Sequence, residues 1–246
     1  MSLPSLSIVC STQNQPAPYA YQQNFEISPK GDHIEASLEM VYTGRESLSE
    51  EEIYDEGFTN EDDFSWQGQL PIAWKEELDR VYSKTTFRKK PDKETPLTIS
   101  LNSDQGESQY PSEYDMWEYV IQELAQAIFE AGGRELPLKV EVMTITKAAT
   151  HQRAINGSFA NRSASVTSDT FDNKIDWLKL KSILKTVFLP DYLPELATDK
   201  TPRKRGIYIS PEAGMWYKLG HAILEPSKKS KALPRLEQLV EELISL

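Results

Sequence analysis

A polar stretch in the second half of the chain carries the side chains best suited to chemistry. Between Glu141 and Asp169 there is no acidic residue, although the chain holds 38 acidic residues among 246. Guanidinium and ammonium groups donate hydrogen bonds to the oxygens of a phosphate or carboxylate. The stretch therefore predicts a site for a small anion. Its candidate ligands are Lys147, His151, Arg153, Asn156 and Arg162, with Asn161 beside them.

Strand periodicity decides whether these side chains meet. The segment 144–168 is polar and rich in Thr, Ser and Asn, which predicts two edge strands or a long excursion from a sheet. In a hairpin, His151 and Arg153 would share one side and Arg162 would return beside them. An anion site that also handles protons needs a carboxylate such as Asp169 to orient the imidazole. The alternative is a solvated pair of strands whose bases prevent edge-to-edge association and face the acidic half.

Other common chemistries lack their motifs. The chain has no Gly-x-Gly-x-x-Gly turn, no Gly-x-x-x-x-Gly-Lys-Ser/Thr loop and no Gly-x-Ser-x-Gly elbow. The three histidines, His33, His151 and His221, have no partner three or four residues away that would place two zinc ligands on one helix face. We expect no metal and no cofactor. The sequence leaves open whether the protein is an enzyme and favours a non-enzymatic role.

Charged side chains also cluster in an acidic region and in a basic region of the sequence, and each is a candidate binding site. The acidic segment 50–63 lacks the Asp-x-Asp-x-Asp-Gly spacing of a calcium loop, so a solvated face is the preferred interpretation. The basic segments 201–205 and 228–231, with aromatic residues between them, have the composition of a nucleic-acid surface. A chain of net charge −11 is repelled by a phosphate backbone, so nucleic acid is not expected as a partner. The aromatic residues are Tyr208, Trp216 and Tyr217.

Charge divides the chain into unlike halves. Residues 1–123 carry 24 acids and 9 bases, a net charge of −15, whereas residues 124–246 carry 14 acids and 18 bases, a net charge of +4. Complementary halves predict that they dock on each other, and the alternative is a charged surface for a partner.

The compartment follows from cysteine use and from the apolar runs. Cys10 is the only cysteine, so no disulfide forms within the chain, which suits a reducing compartment. The N-terminal segment has no basic residue ahead of its apolar run, which Pro4 interrupts, so it does not fit a secretory signal. No run of about 18 apolar residues is present to span a membrane. We expect a soluble, cytoplasmic protein without membrane contact.

The element pattern predicts an α+β fold with antiparallel or mixed sheets and amphipathic helices packed on one face, because strands and helices do not alternate strictly. Residues 88–95 have the composition of a linker, which predicts domains 1–87 and 96–246, with one continuous domain as the alternative. Apolar periodicity predicts strands at 19–27, 34–42, 63–70, 97–101, 206–210 and 215–224 and a strand starting at 138. Apolar periodicity and cap residues predict helices at 49–56, from Pro71, at 112–131, from Asp172 to Pro190 and from Leu233.

Two functional hypotheses follow from these observations. The first is a non-enzymatic protein-interaction or accessory module that recruits a protein partner or a second copy of itself. The second is an enzyme or sensor that binds a small phosphate or carboxylate through His151, Arg153 and Arg162.

Overall fold

A computed structural model describes residues 3–12, 15–92, 95, 97–103, 108–211 and 214–245. The chain forms two compact units, Met1–Glu135 and Leu136–Leu246. The predicted linker 88–95 lies within the first unit, and its residues 93 and 94 are outside the described ranges. The division into domains 1–87 and 96–246 stays a prediction about which parts fold independently.

The first unit is built on a five-stranded sheet with the order β4-β3-β2-β1-β6, in which every neighbouring pair is antiparallel. Its strands are β1 (Leu6–Thr12), β2 (Tyr21–Pro29), β3 (His33–Tyr42), β4 (Phe64–Pro71) and β6 (Leu97–Ser103), and a separate pair is formed by β5 (Phe87–Arg88) and β7 (Tyr110–Pro111). Its helices are α1 (Glu50–Asp55), α2 (Ile72–Ser83) and α3 (Tyr114–Ala131).

Buried and accessible residues alternate along the strands of this sheet, because only one of its faces is covered by helices. In β2 and β3, Phe25 pairs with Leu38, and both side chains are buried beneath the helices while their neighbours stay accessible. Helices α2 and α3 bring Trp74 and Trp117 into the core, where both are fully buried. The predicted strands 19–27 and 34–42 and the helices predicted from Pro71 and at 112–131 are confirmed.

Helix α1 begins at the predicted capping box. The Ser49 hydroxyl accepts a hydrogen bond from the Glu52 amide, and the Glu52 carboxylate accepts one from the Ser49 amide. Only Ile53 of this helix is buried, so the other side chains of the helix form an acidic surface.

Arg45 ties together the loops on either side of α1. Its guanidinium lies 3.8 Å from the centre of the Tyr42 ring and donates hydrogen bonds to the Thr59 carbonyl, the Asp62 carboxylate and the Pro18 carbonyl. This arginine is therefore part of the fold of the first unit rather than of a surface site.

The second unit is built on a six-stranded antiparallel sheet with the order β11-β10-β9-β8-β13-β14. Its strands are β8 (Leu138–Ile145), β9 (Thr150–Ser158), β10 (Ser163–Thr167), β11 (Asp172–Ile175), β13 (Gly206–Ser210) and β14 (Tyr217–Lys218), and β12 (Asp191–Tyr192) pairs separately with β15 (Ile223–Leu224). Its helices are α4 (Trp177–Val187) and α5 (Ala232–Ile244).

One face of this sheet forms the core of the second unit. Val140 and Ile155 from neighbouring strands pack with Leu180 and Ile183 of α4 and with Leu236 of α5. The α+β class is confirmed, since each unit sets helices against an antiparallel sheet. None of the helices that the structure describes is long and apolar enough to cross a membrane.

Three sequence predictions for the second unit were wrong. Asp172 does not cap a helix but opens β11, and α4 begins after Asp176, whose carboxylate accepts the Lys179 amide. Leu178 and Phe188, which the apolar periodicity of the predicted helix places on its inward face, are 73% and 52% exposed. Strands β9 and β10 are not edge strands, because β11 continues the sheet beyond them.

The predicted strand 215–224 contains only two short paired segments, β14 and β15. Between the predicted strands 206–210 and 215–224, residues 212 and 213 lie outside the described ranges. Strand β1 was not foreseen, although Leu6, Ile8 and Cys10 alternate inward along it.

Candidate functional site

The residues predicted to bind an anion lie at two ends of the β8–β10 region. Lys147 lies in the turn between β8 and β9, and His151 pairs with Thr144 near the start of β9. Both side chains are exposed. Among the described residues, the His151 ring has no carboxylate partner, and Asp169 does not contact it.

Arg153 is held by the fold of the second unit. Its guanidinium lies 4.9 Å from the centre of the Phe171 ring and donates a hydrogen bond of 3.0 Å to the Ile244 carbonyl at the end of α5. Because these contacts occupy one face and one edge of the guanidinium, Arg153 fixes the C-terminal helix to the sheet.

Asn156 and Arg162 lie at the opposite end of β9. His151 is seven residues from the end of that strand at Ser158, a span of about 23 Å in an extended chain. The structure therefore brings Asn156 and Arg162 together but leaves Lys147, His151 and Arg153 away from them. Arg162 adopts left-handed backbone, with φ 48°, in the turn between β9 and β10.

A concavity of about 620 Å³ lies at this end of the sheet. It is open to solvent, and its wall contains Asn156, Arg162 and the indole of Trp177. The Arg162 guanidinium lies 5.3 Å from the centre of the Trp177 ring, and Phe159 contacts the same ring edge-on. The aromatic pair thus positions a cation at the rim.

Strand register places four donors in one row across the wall of this concavity. Lys139 of β8 pairs with Asn156 of β9, Asn156 pairs with Ser165 of β10, and Ser165 pairs with Lys174 of β11. All four line the concavity. Paired residues in a sheet point to the same side, so these side chains form one cross-strand row, which we call the Lys139–Lys174 row.

The inner members of the row are oriented and its ends are accessible. The Asn156 amide donates a hydrogen bond of 3.1 Å to the Thr167 hydroxyl. The Lys139 ammonium lies 3.2 Å from the Glu141 carboxylate, but the lysine side chain is 57% exposed, so this ion pair is weak and exchangeable. Lys174 at the other end is exposed.

Two carboxylates also line the concavity, and they have different surroundings. Asp176 already accepts the Lys179 amide as the N-cap of α4. Asp172 belongs to the next row of the sheet, opposite Thr167. With Lys139, Arg162 and Lys174, the wall holds three cations against two carboxylates, one of which caps a helix.

Sequence reasoning missed both lysines of the row. Lys174 was assigned to a helix because Asp172 resembled an N-cap, and Lys139 lies outside the acid-free stretch. Recognising 172–175 as a strand would have placed Lys174 opposite Ser165.

The aromatic residues between the basic segments and the single cysteine lie in the interior of their units. Tyr208, Trp216 and Tyr217 are at least 93% buried, and the Tyr208 hydroxyl donates to the Lys204 carbonyl, so they do not form a stacking platform. Burial, with a smaller contribution from Glu118, raises the pKa of the Cys10 thiol to about 12, which keeps it protonated and unreactive.

No group of three His, Cys, Asp or Glu side chains in the part of the chain that the structure describes is arranged to hold a metal ion. Comparison with protein-family models, with curated protein sequences and with solved structures finds no match to this chain. A function is therefore inferred from the concavity and its residues.

Proposed function

We propose that the protein is a non-enzymatic binding module whose second unit holds a small anion, a phosphate or a carboxylate, on the Lys139–Lys174 row. The row itself supports this, because it sets two ammonium groups on either side of an amide and a hydroxyl on one surface. Binding is preferred to catalysis because neither His nor Cys occurs among the described lining residues to act as a base near neutral pH.

The spacing of the row favours an elongated anion. Lys139 and Lys174 are separated by three strand intervals, so their Cα atoms lie about 14 Å apart. Their long side chains reach inward over Asn156 and Ser165, whose polar groups face the same space. An anion with charge at both ends, such as pyrophosphate or citrate, contacts both ammonium groups, whereas a single phosphate contacts one.

Arg162 supplies a further donor at the rim. Guanidinium groups bind phosphate and carboxylate oxygens through two parallel hydrogen bonds, and its position over Trp177 limits its freedom before the ligand arrives. Ser158 and Ser163 pair across the turn beside it and add hydroxyl groups to the wall.

Thermal unfolding of the full chain with pyrophosphate, citrate or inorganic phosphate tests this proposal. A ligand that binds only the folded state stabilises it by about 2.7 kcal/mol at a hundred times its Kd. We expect pyrophosphate and citrate to raise Tm more than phosphate does. The double variant Lys139→Ala/Lys174→Ala should lose this shift.

A matched control removes the same charge elsewhere in the second unit. Lys147→Ala/Lys228→Ala deletes two exposed lysines that do not line the concavity, and it should keep the full shift. Equal loss in both double variants would mean that general attraction to the second unit, rather than the row, binds the anion. If none of the anions raises the Tm of the parent protein, the proposal is wrong.

Protein interaction is a second candidate function, favoured by one observation. Helix α4 exposes Leu178 while its lysines surround it, which is unusual for a helix that already buries its other face.

A further inference from the structure

The outer side of α4 carries exposed apolar and basic side chains together. Leu178, Lys179, Ser182 and Lys185 are all exposed, and Phe188 and Leu189 follow at the C-terminal end of the helix. At 100° per residue, Leu178, Ser182 and Lys185 fall in one line with Lys179 beside them. We call these six residues the basic face. No acidic residue occurs from 177 to 190.

The core of the second unit does not need these apolar groups. Leu180, Ile183 and Val187 are at most 1% exposed and complete the packing of α4 against the sheet. Leu178 is nevertheless 73% exposed and Phe188 is 52% exposed. Exposed apolar side chains beside several like charges offer a partner of opposite charge both apolar area and ion pairs.

The first unit presents a surface of the opposite character. On α1, Glu51, Tyr54 and Asp55 are exposed while Ile53 faces inward. Tyr54 is 57% exposed. We call Glu51, Tyr54 and Asp55 the acidic face. It offers an aromatic ring beside two carboxylates, whereas the basic face offers an aliphatic side chain beside two ammonium groups.

The net charges of the two units agree with such a pairing. Residues 1–135 contain 26 acids and 10 bases, a net charge of −16, and residues 136–246 contain 12 acids and 17 bases, a net charge of +5. Opposite fields of this size draw two molecules together in a preferred orientation and keep like surfaces apart.

We infer that a second copy of this chain covers the basic face of α4 with the acidic face of its own α1. The contact joins two different surfaces, so each copy keeps one unused surface of each kind. Association is therefore head-to-tail and continues to higher oligomers unless it closes into a ring. Two short helical surfaces bury less area than a stable standard interface, so the association is weak and sensitive to salt.

Sedimentation velocity of the full chain at increasing concentration gives the first test. We expect the weight-average sedimentation coefficient to rise with concentration at low ionic strength and to return to the monomer value near 0.5 M salt, where the Debye length is about 4 to 5 Å. A monomer at every concentration in low salt would overturn the inference.

Two variants, each disabling one surface, give the decisive test. Lys179→Gln/Lys185→Gln neutralises the basic face, and Glu51→Gln/Asp55→Asn neutralises the acidic face. Each variant alone should stay monomeric. An equimolar mixture should form dimers and nothing larger, because only one pair of intact surfaces remains. A monomeric mixture, or a variant that dimerises alone, would contradict head-to-tail pairing.

The experiment also separates this inference from anion binding. The four substituted residues do not line the concavity, so both variants should keep the thermal shift with pyrophosphate. Loss of that shift together with self-association would show that the substitutions disturb the fold. Two charge-reversal variants that keep the shift then decide the question: Lys179→Glu/Lys185→Glu and Glu51→Lys/Asp55→Lys should each stay monomeric alone and should associate when mixed, and a monomeric mixture would contradict the pairing of the two faces.

Discussion

The two units have the same layering but carry different charged side chains on their polar sheet faces. In the first unit, Glu26, Glu35 and Glu39 lie on the sheet face away from the helices, opposite neutral polar residues of the neighbouring strands. In the second unit, the corresponding polar face carries both signs: Lys139 and Lys174 lie in one row, and Glu141 and Asp172 lie in the next row. An antiparallel sheet covered on one side thus becomes a repelling or an attracting surface for anions through a few residues in register.

The units also differ in where their arginines act. Arg45 in the first unit is only 10% exposed in its side chain and donates hydrogen bonds to two other segments, at Pro18 and at Thr59 and Asp62. Arg162 in the second unit lies at the rim of a concavity. The comparison predicts that removing Arg45 costs stability, whereas removing Arg162 costs ligand binding. Arg153 of the second unit resembles Arg45, because its guanidinium also bonds within the fold.

The strongest way to test this contrast is Arg45→Ala. The substitution leaves the Asp62 carboxylate without its guanidinium partner and removes the contact with the Tyr42 ring. We therefore expect a loss of about 3 kcal/mol in the free energy of unfolding. Urea denaturation followed by fluorescence measures it. Arg205→Ala, at an exposed arginine of the second unit, is the control and should stay within about 0.5 kcal/mol.

Equal losses in both variants would remove the contrast between the units. A small loss for Arg45→Ala would show that the loops around α1 hold together without the arginine.

A glycine beneath the concavity gives the next largest effect. A methyl group at Gly157 would approach Leu180 Cδ2 to 2.9 Å and Leu138 Cδ2 to 3.2 Å, and Leu180 is fully buried. We expect Gly157→Ala to destabilise the protein by about 2 kcal/mol through overpacking. Urea denaturation measures the change.

Gly31 of the first unit is the control for that substitution. Nothing lies within 4 Å of the position that its methyl group would take, so Gly31→Ala should stay within about 0.5 kcal/mol of the parent. If Gly157→Ala is equally mild, β9 and α4 are packed less tightly than the structure indicates.

Much of the fold followed from local patterns. Strands β2 and β3 alternate between apolar and polar residues because one face of their sheet is buried, and α3 has a wide apolar stripe because it lies over that face. Strand β11 was missed because Ile175 is its only apolar residue. What makes it a strand is its pairing with β10, which local sequence does not reveal.

The candidate site was predictable only in part for the same reason. Asn156 and Arg162 belong to one acid-free segment, so composition drew attention to them. Lys139 and Lys174 join them through register across four strands, which depends on long-range pairing. His151 and Arg153 were included because they are neighbours in sequence, although strand geometry separates them from the concavity.

Asn156→Asp tests the polar face of the second unit with almost no change of shape. A carboxylate in the middle of the Lys139–Lys174 row repels an anion and neutralises a flanking lysine, so we expect affinity for pyrophosphate to fall about tenfold, or about 1.4 kcal/mol. Isothermal titration calorimetry measures the change. Gln67→Glu on the polar face of the first unit is the control and should leave the affinity unchanged.

The smallest expected change in stability comes from the Asp62 carboxylate, which pairs with Arg45. Burial raises the pKa of Asp62, but the hydrogen bonds from Thr59 and Arg45 outweigh it and lower that pKa below its usual 3.8. When folding lowers the pKa of a carboxyl group, that group stabilises the folded protein at pH values above the pKa it has in the unfolded chain. This contribution is lost as the pH falls through the pKa that the group has in the folded state. Asp62→Asn should therefore be less stable than the parent at pH 7, and the difference should shrink below about pH 4. Urea denaturation between pH 7 and pH 3 measures it. Stability curves that stay parallel over this range would show that Arg45 holds the loops through its ring and carbonyl contacts, and that the carboxylate adds nothing to them.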